Sequence, residues 1–456
     1  NFPLLSGLEA INLLSVNGAA RYTDYYNKGG AGTTGESANQ GTFNWKLSAV
    51  YEPFDFVRFR LTRSRDLRAA TYRDLFLNQP TLPDQATGRN WWRERTEESN
   101  INQNERWGLV RVGNADLTPE KSDTLTLGLV LSPGGWAQGM RLSADYYDIR
   151  VRDGIYTPYN FSSPSSIIEN CWLSSGNSED EEHPNFGKML PPDMNNRFCR
   201  EITFATLPDG SLDPTDILYV NASRPDNGLP YQRRGIDLSW NYSFPMNRAF
   251  ESIPGTMSLT LRASRALEAS GIQQTVAQRV TSSGELNCTA TTFIDGILIC
   301  DEALRRIDMV GQIRSSQFIP GVAATPKWTG NFIAAYMMGD LSTSLSARYI
   351  GGAKMDNTWC DERQFLRGSC DNYMDELGRY LGGSVDNNWV KPYVNFALNA
   401  SYNLHVGNMR RFQVTGTINN LFDKSPPFTG GGISGASAGF HDTMGRSYRM
   451  GVRMEF

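Results

Sequence analysis

The chain has 456 residues, 39% of them hydrophobic, and a formal net charge of −4 at pH 7. No apolar run approaches the ~18 residues that a membrane-spanning helix requires, so the sequence excludes a helical membrane protein. The slightly negative charge gives no support to a nucleic-acid partner. Length alone would allow two or three soluble domains, whereas a β-barrel would place its apolar residues at every second position of each strand.

Alternating apolar and polar residues recur along the whole chain, which predicts strands with two unlike faces. The first segment, 8–26, has a mixed pattern, and the segments after it alternate more clearly. About twelve strands are expected, at 8–26, 43–51, 57–62, 124–131, 142–155, 236–244, 257–262, 332–338, 344–349, 394–403, 412–418 and 445–456. The prediction is an all-β fold, a transmembrane antiparallel β-barrel whose lumen holds water or a plug.

The last strand carries the clearest alternation and ends on an aromatic residue. One face is apolar and the other is polar or small, as in a strand between lipid and a polar interior. The apolar face carries Tyr448, Met450, Val452, Met454 and Phe456.

The connections between these strands alternate between short and long. The short ones are 52–55, 132–138, 245–255, 338–340 and 405–409. The long ones are about 66–121, 157–230, 268–325, 353–391 and 423–445. Outer-membrane barrels have short periplasmic turns and long extracellular loops, so the long segments are expected outside the cell.

The six cysteines form three local pairs, and every pair lies in a long connection. Disulfides in an oxidising compartment are the favoured interpretation. Metal binding is the alternative, although no pair has C-x-x-C spacing and the chain has only three histidines. The pairs are Cys171 with Cys199, Cys288 with Cys300, and Cys360 with Cys370.

Four motifs then resemble those of TonB-dependent outer-membrane receptors. Residues 113–124 (GNADLTPEKSDT) resemble the family's G-N-P-x-L-x-P-E-x-S signature, with Ala115 in place of the usual Pro. Residues 142–155 resemble the strand that follows, and 234–238 resemble the G-[VIL]-[DE] strand opening. Residues 419–424 and 445–448, together with the terminal Phe456, are similar to the C-terminal hallmark, and Phe456 would then be the barrel-assembly signal.

This resemblance implies a 22-stranded barrel of which the chain is the C-terminal portion. The family's N-terminal plug and TonB box are not found here, and no export signal precedes Asn1, so we expect a piece of a longer polypeptide. The implied function is energised import of a scarce nutrient across the outer membrane of a Gram-negative bacterium. The implied partners are the TonB–ExbB–ExbD complex, acting through the plug, and a small-molecule or oligosaccharide ligand. Outer-membrane lipid, lipopolysaccharide and a surface lipoprotein are further partners, and no cofactor is expected.

Trp91, Trp92, Arg93 and Arg95 are the main candidates for ligand binding, with Trp359 as a weaker one. Paired indoles and guanidinium groups suit a sugar or an anionic chelate. The alternative is that these residues only pack within the loop. An acidic run at 178–183 could hold a divalent cation or link to lipopolysaccharide, but it lacks EF-hand-like spacing and a turning glycine. A solvated acidic loop is therefore the favoured interpretation, and no metal site is predicted.

Four arginines point toward the lumen by strand parity. In a receptor they would pair with acidic groups of the plug, in a porin they would set ion selectivity, and pairing with a neighbouring strand's carboxylate is a third interpretation. They are Arg58, Arg60, Arg262 and Arg348. No Ser or Cys can be assigned to a His–acid pair, so an enzyme is not predicted. The alternative to a receptor is a self-contained passive porin or structural barrel.

Overall fold

The computed structural model describes residues 2–30, 37–80, 86–93, 105–156, 164–178, 184–196, 198–221, 224–228, 230–272, 291–294, 297–300, 306–314, 323–357, 359–361, 384–385, 387–405, 411–427 and 440–455. One large antiparallel sheet dominates them. Its thirteen successive strands are β1 (Phe2–Leu8), β2 (Ile11–Lys28), β3 (Ser37–Phe54), β4 (Val57–Arg68), β5 (Glu120–Leu131), β6 (Met140–Arg152), β7 (Tyr231–Pro245), β8 (Thr256–Ile272), β9 (Trp328–Met338), β10 (Leu341–Ile350), β11 (Tyr393–Leu404), β12 (Arg411–Asn419) and β13 (Ser447–Glu455).

Every strand of this sheet pairs with its neighbours in the chain, so the topology is a continuous meander. The short strand Arg306–Asp308 adds to β8 outside this path. The all-β antiparallel prediction is confirmed, and the described residues leave β1 and β13 as two open edges of the sheet. Among the same residues, no helix has the length and apolar character to span a membrane.

The expected strand count was one too low because an additional strand, β1, precedes the segment 8–26, most of which forms β2. Two strands, β1 and β2, meet in a hairpin in which Leu8 pairs with Ile11. Ala10 turns the chain with a positive φ of 58°, although it has a side chain and is not one of the residues that favour this conformation. The sequence therefore carries no Asn-Gly or Asp-Gly signal for the hairpin.

The two faces of the sheet have opposite chemistry, as the alternation predicted. On one face, the outward face, large apolar side chains stay more than a third exposed, which is typical of a surface that meets lipid. Examples are Phe59 and Leu61 at 45%, Leu127 at 46%, Leu238 at 38% and Leu261 at 39%. The opposite face carries serine, threonine, asparagine and charged residues and is called the polar face below.

Short and long connections alternate along the meander, so the sheet has a turn end and a loop end. Aromatic side chains gather at the turn end of the outward face, where Tyr51 stacks on Phe59 with centroids 6.2 Å apart and Tyr242 stacks on Phe244 at 4.7 Å. Such an aromatic band is typical of one membrane interface of a barrel.

The remaining elements lie in the connections. The α-helices are α1 (Tyr72–Phe76) and α2 (Pro164–Ser174), and single 3-10 turns are Gly135–Ala137, Cys199–Glu201 and Met246–Arg248. The short strands at the loop end are Asn78–Pro80, Ala86–Gly88, Glu105–Val112, Ile155–Tyr156, Ile202–Thr206, Leu212–Asn221, Asp226–Asn227, Thr291–Ile294, Ile297–Cys300, Ala353–Lys354, Cys360–Asp361, Ser384–Val385 and Trp389–Val390.

Candidate functional site

Two long connections, β4–β5 and β6–β7, fold together into one five-stranded sheet. The strand Leu212–Asn221 of the second connection lies between Ile202–Thr206 and Glu105–Val112, and the latter pairs with the two short strands Asn78–Pro80 and Ala86–Gly88. With α2 packed against it, this sheet forms a unit that we call the cap. The cap therefore joins two loops that are far apart in the sequence.

The contact between the two loops is a parallel strand pair in which Tyr219 lies opposite Gly108. A Cβ at Gly108 would lie 2.5 Å from Cδ1 of Tyr219, so the tyrosine ring occupies the space that a side chain would need. Only glycine permits this close approach without moving the tyrosine. The sequence of either loop taken alone contains no signal for this pairing.

A disulfide closes the cap. Cys171 of α2 is bonded to Cys199, both residues are fully buried, and 28 positions separate them. This confirms the first of the three expected pairs. The bond lies in an apolar core of tryptophan, isoleucine and phenylalanine side chains. The core residues are Trp92, Trp107, Ile167, Ile168, Cys171, Trp172, Phe198, Cys199, Ile202, Phe204, Ile217 and Val220.

The two adjacent tryptophans of the predicted binding motif have different environments. Trp92 is only 3% exposed, packs edge-on against Phe204, and donates its indole N–H to the carbonyl oxygen of Leu190 at 2.9 Å. This is the packing role that the sequence left open, and it leaves Trp92 no accessible ring face for a solute. Trp91 is half-buried, and the guanidinium of Arg89 lies 3.8 Å from its ring centroid.

Arg93 is exposed and fixed at the edge of the cap. Its Nε donates to the carbonyl oxygen of Thr215 at 2.8 Å, and its Nη1 lies 3.3 Å from Oε1 of Glu105. Burial raises the pKa of Glu105 above its ordinary value; Arg93 lowers this pKa and Asp216 raises it. Arg93 is thus a cation at the edge of the cap, and the carboxylate of its partner Glu105 is poorly solvated.

Trp359 lies in a second loop cluster that includes Ile313, Ala353, Met355 and Val390. The guanidinium of Arg314 lies 4.7 Å from its ring centroid. The structure thus places an arginine over each of the two half-buried candidates, Trp91 and Trp359. Sequence reasoning missed Arg314, which is 45 positions from its tryptophan, and gave no separate role to Arg89.

The four arginines chosen by parity lie on the polar face. Arg58 pairs with Glu52 of β3. Arg60 donates through Nη2 to both carboxylate oxygens of Asp145, at 2.7 and 3.0 Å, although β5 runs between their strands. Gly128 of β5 makes this possible, because a Cβ there would lie 2.3 Å from Oδ1 of Asp145. The interpretation as strand-to-strand ion pairs thus applies to these two arginines.

Arg348 lines a cavity of about 530 Å³ on the polar face. Asparagine side chains from three strands surround it, and Asn395 donates to Asp442 at 3.0 Å. No ion pair of Arg348 occurs within the described part of the chain, and the same holds for Arg262 of β8. That either arginine faces a lumen remains a prediction. The cavity is lined by Asn331, Ile333, Ser346, Ala347, Arg348, Asn395, Ala397, Asn419, Asn420, Asp442, Met444 and Ser447.

Several predicted residues lie outside the described residues. They are Arg95, Cys288, Cys370, Phe456 and the acidic positions 179–183. The second and third disulfides and the barrel-assembly role of the terminal residue therefore stay predictions. Among the residues that are described, no group of three or more His, Cys, Asp or Glu side chains could hold a metal ion.

The motif at 113–124 connects the cap to the sheet. A Cβ at Gly113 would meet the backbone of Leu75 in α1 at 2.5 Å, and the backbone N–H of Asn114 donates to the carbonyl oxygen of Asp74 at 2.8 Å. Glu120 accepts two hydrogen bonds from the guanidinium of Arg68, at 2.6 and 2.7 Å. The motif therefore has a structural role at the base of the loops.

The C-terminal motif shows similar turn chemistry. Asn420 is 1% exposed with a φ of 50°, and its side chain both accepts from and donates to the backbone of Lys424, at 2.8 and 3.0 Å. Asn and Asp tolerate this left-handed conformation better than other residues with side chains.

The family model described as TonB dependent receptor-like, beta-barrel, matches residues 8–421. No curated protein matches the chain.

Among solved structures, the siderophore receptor PirA from Acinetobacter baumannii has a TM-score of 0.47 at 13% identity, covering 97% of this chain and 46% of its own. The ferric enterobactin receptor PfeA from Pseudomonas aeruginosa, in complex with enterobactin, has a TM-score of 0.46 at 13% identity, with the same coverage of 97% and 46%. The FrpB iron transporter from Neisseria meningitidis has a TM-score of 0.46 at 11% identity, covering 96% of this chain and 42% of its own.

The chain spans less than half the length of these three solved structures. The family model, in contrast, covers most of the chain. The chain belongs to the TonB-dependent receptor β-barrel family and is a protein of the Gram-negative outer membrane.

Proposed function

We propose that this chain is the barrel portion of a receptor that imports a scarce nutrient, such as a siderophore–iron complex or an oligosaccharide, by energised transport. The energy would come from TonB–ExbB–ExbD, acting through a plug domain. In this proposal the protein is a transporter and catalyses no chemical reaction. The long connections would lie outside the cell and provide the first contacts with the ligand.

The observation that carries the proposal is the pair formed by Arg89 and Trp91 on the cap. Trp91 packs on Trp172 with ring centroids 5.3 Å apart, and the guanidinium of Arg89 lies over the Trp91 ring, 3.8 Å from its centroid. The half-buried indole thus presents its accessible part together with charge-assisted donors. The disulfide and the apolar core hold the cap in one conformation, so the pair is positioned before a ligand arrives. Preorganisation of this kind reduces the ordering cost of binding.

The pair formed by Arg314 and Trp359 repeats this chemistry on a separate loop cluster. Two such pairs suit a ligand that combines negative charge or hydroxyl groups with flat faces. Aromatic iron chelates and acidic oligosaccharides both have these properties. Exposed Arg93 adds a further donor at the edge of the cap.

A passive pore is the alternative, and the cavity around Arg348 is the observation that favours it. The cavity of about 530 Å³ on the polar face could admit small solutes. A pore would need no energy source, and the residues of the cap would have little influence on its flux. Energy dependence therefore separates the two functions.

The test is uptake of a panel of labelled ferric chelates and oligosaccharides by cells that express the full-length protein. For a receptor, a protonophore or deletion of TonB abolishes uptake of one ligand class. The double variant Arg89→Gln, Trp91→Leu should weaken that ligand's binding about tenfold, because it removes one stacking contact and one charged donor.

Trp136→Leu is the matched control, since Trp136 is 83% exposed but lies between β5 and β6 at the turn end. It should leave ligand binding unchanged. Uptake that persists without TonB and ignores the cap variant would contradict the receptor proposal and favour the pore.

A further inference from the structure

The outward face of β4–β8 changes character toward the loop end, where arginines replace the apolar side chains. Five arginines and three carboxylates form a row of ion pairs on neighbouring strands, which we call the arginine belt. Arg306 belongs to the short strand that extends the sheet beside β8. The belt consists of Arg65, Arg150, Arg152, Arg234 and Arg306 with Asp123, Asp148 and Glu268.

Strand register shows that the belt shares a face with the apolar surface. Arg65 follows Phe59 and Leu61 at two-residue intervals along β4. Directly opposite Arg65 on β5 is Asp123, which lies on the same side as Leu127. The belt therefore faces away from the polar face and continues the surface that meets lipid.

The belt holds more positive charge than its carboxylates can neutralise. Asp123 is shared by Arg65 at 2.8 Å and Arg152 at 2.7 Å. Glu268 is shared by Arg234 at 2.5 Å and Arg306 at 2.6 Å. Arg63 and Arg265 lie on the same face, and Asp308 adds one further carboxylate, so seven arginines face four acids.

The guanidinium groups of the belt remain accessible. The side chains of Arg150, Arg306 and Arg152 are 63%, 56% and 53% exposed, while the carboxylates beside them are 10–13% exposed. The acids are thus covered by the arginines, and the arginines present their remaining donors to the outside. A protein with an overall charge of −4 has a strongly cationic surface here.

The height of the belt matches the edge of an outer leaflet. Arg65 is eight residues from the start of β4 at the turn end. At about 3.3 Å per residue and a tilt of about 40°, eight residues rise roughly 20 Å, close to the top of an apolar band about 25 Å tall. Acyl chains would lie against Phe59, Leu61 and Leu127, with head groups at the belt.

The belt occupies one flank of the sheet. At corresponding positions, β9, β10 and β13 carry Trp328, Tyr349 and Tyr448 on the outward face instead of charged residues. Five adjacent strands about 4.8 Å apart give the belt a width of roughly 20 Å, enough for more than one phosphate group and several acyl chains. The site would therefore bind a large amphiphile on a defined side of the barrel.

From this charge excess and the apolar surface beneath it, we propose that the outward face of β4–β8 is a binding site for a phosphorylated, multiply acylated glycolipid of the outer leaflet. The phosphates accept hydrogen bonds from Arg150, Arg152 and Arg306, and the acyl chains cover the leucine and phenylalanine side chains below. Arginine is suited to phosphate because its planar donors match the oxygens in pairs.

The test measures binding of bisphosphorylated lipid A by the purified full-length protein in detergent, with dephosphorylated lipid A as the comparison. The variant Arg150→Gln, Arg152→Gln, Arg306→Gln removes three exposed charges. Each carboxylate keeps a partner, because Asp123 retains Arg65, Glu268 retains Arg234, and Asp148 retains the Gln232 amide at 2.7 Å. The fold should therefore be retained.

Wild-type protein should prefer the phosphorylated lipid, and the triple variant should lose affinity for it about tenfold, a conservative figure for three surface cations. The control variant, Arg21→Gln, Arg233→Gln, Arg449→Gln, removes three arginines from the polar face and should bind as wild type. Equal loss in both variants would overturn the proposal, as would unchanged binding in the belt variant. Equal competition by the phosphorylated disaccharide without acyl chains would also overturn it, since a soluble anion would then suffice.

Discussion

Removal of the Cys171–Cys199 disulfide should loosen the cap and leave the large sheet intact. In the chain-entropy relation, a closed loop of about 28 residues gives roughly 3.6 kcal/mol of stabilisation. Loss of the bond should therefore raise the population of the opened cap roughly 400-fold. The effect is local because the disulfide lies within one connection and in the cap's own core.

Amide hydrogen exchange in the folded protein measures this population directly. The peptides 164–178 and 198–221 should lose roughly 2.6 logarithmic units of protection in the variant Cys171→Ala, Cys199→Ala. Peptides from β9 and β10 serve as the internal control and should not change. Wild-type protein made without periplasmic disulfide formation keeps both cysteine side chains but lacks the bond. Comparing it with the alanine variant separates the effect of losing the cross-link from the effect of losing side-chain packing.

Two results would refute this reasoning. Protection in the cap that stays within about threefold of wild type would mean that the apolar core alone closes the loop. An equal loss of protection in β9 and β10 would mean that the cap and the sheet open as one cooperative unit. In either case the cap could not be treated as a separately stabilised platform for ligand contact.

Further predictions concern packing, a cross-strand ion pair and pH. Trp92→Ala should destabilise the cap by about 3–5 kcal/mol, as for other large buried aromatic residues, and hydrogen exchange would measure this change. A loss of cap stability below about 1 kcal/mol would contradict the core role of Trp92. Gly128→Val should separate Arg60 from Asp145 and lower the unfolding temperature slightly. The loss in folding free energy should be about 1 kcal/mol, because both side chains of the ion pair are partly exposed. An unchanged unfolding temperature would contradict this prediction. Because burial raises the pKa of Glu105, its ionised form opposes folding, and the wild-type cap loses stability as pH rises through that pKa. Glu105→Gln should thus exceed wild type in stability at pH 7 but not at about pH 4, and an advantage that persists at low pH would contradict this assignment.

The sequence was most informative where the structure is most regular. Period-two alternation identified most of the strands from β3 to β13 because lipid on one side and polar surroundings on the other constrain every residue of a spanning strand. The hairpin of β1 and β2 was missed because Ala10 turns without glycine or asparagine. When strand pairing imposes a turn, the local sequence does not predict it.

The candidate site was only partly predictable. Trp91 and Trp359 could be chosen by residue type, but the burial of Trp92 depends on Phe204, which is more than a hundred positions away. The partners Arg89 and Arg314 followed no local rule, and the crossing of Arg60 to Asp145 required knowledge of the strand order. Long-range pairings of this kind depend on the tertiary fold.

The parallel pairing of Gly108 with Tyr219 sets an order of assembly. Between these residues the chain runs through β5 and β6, and the pairing of these two strands brings the two loops together at one end of the sheet. The bond between Cys171 and Cys199 lies within one connection and does not depend on that pairing, so it can form in the periplasm beforehand. A loop that is already cross-linked could therefore be present before the pairing of β5 with β6 completes the cap sheet.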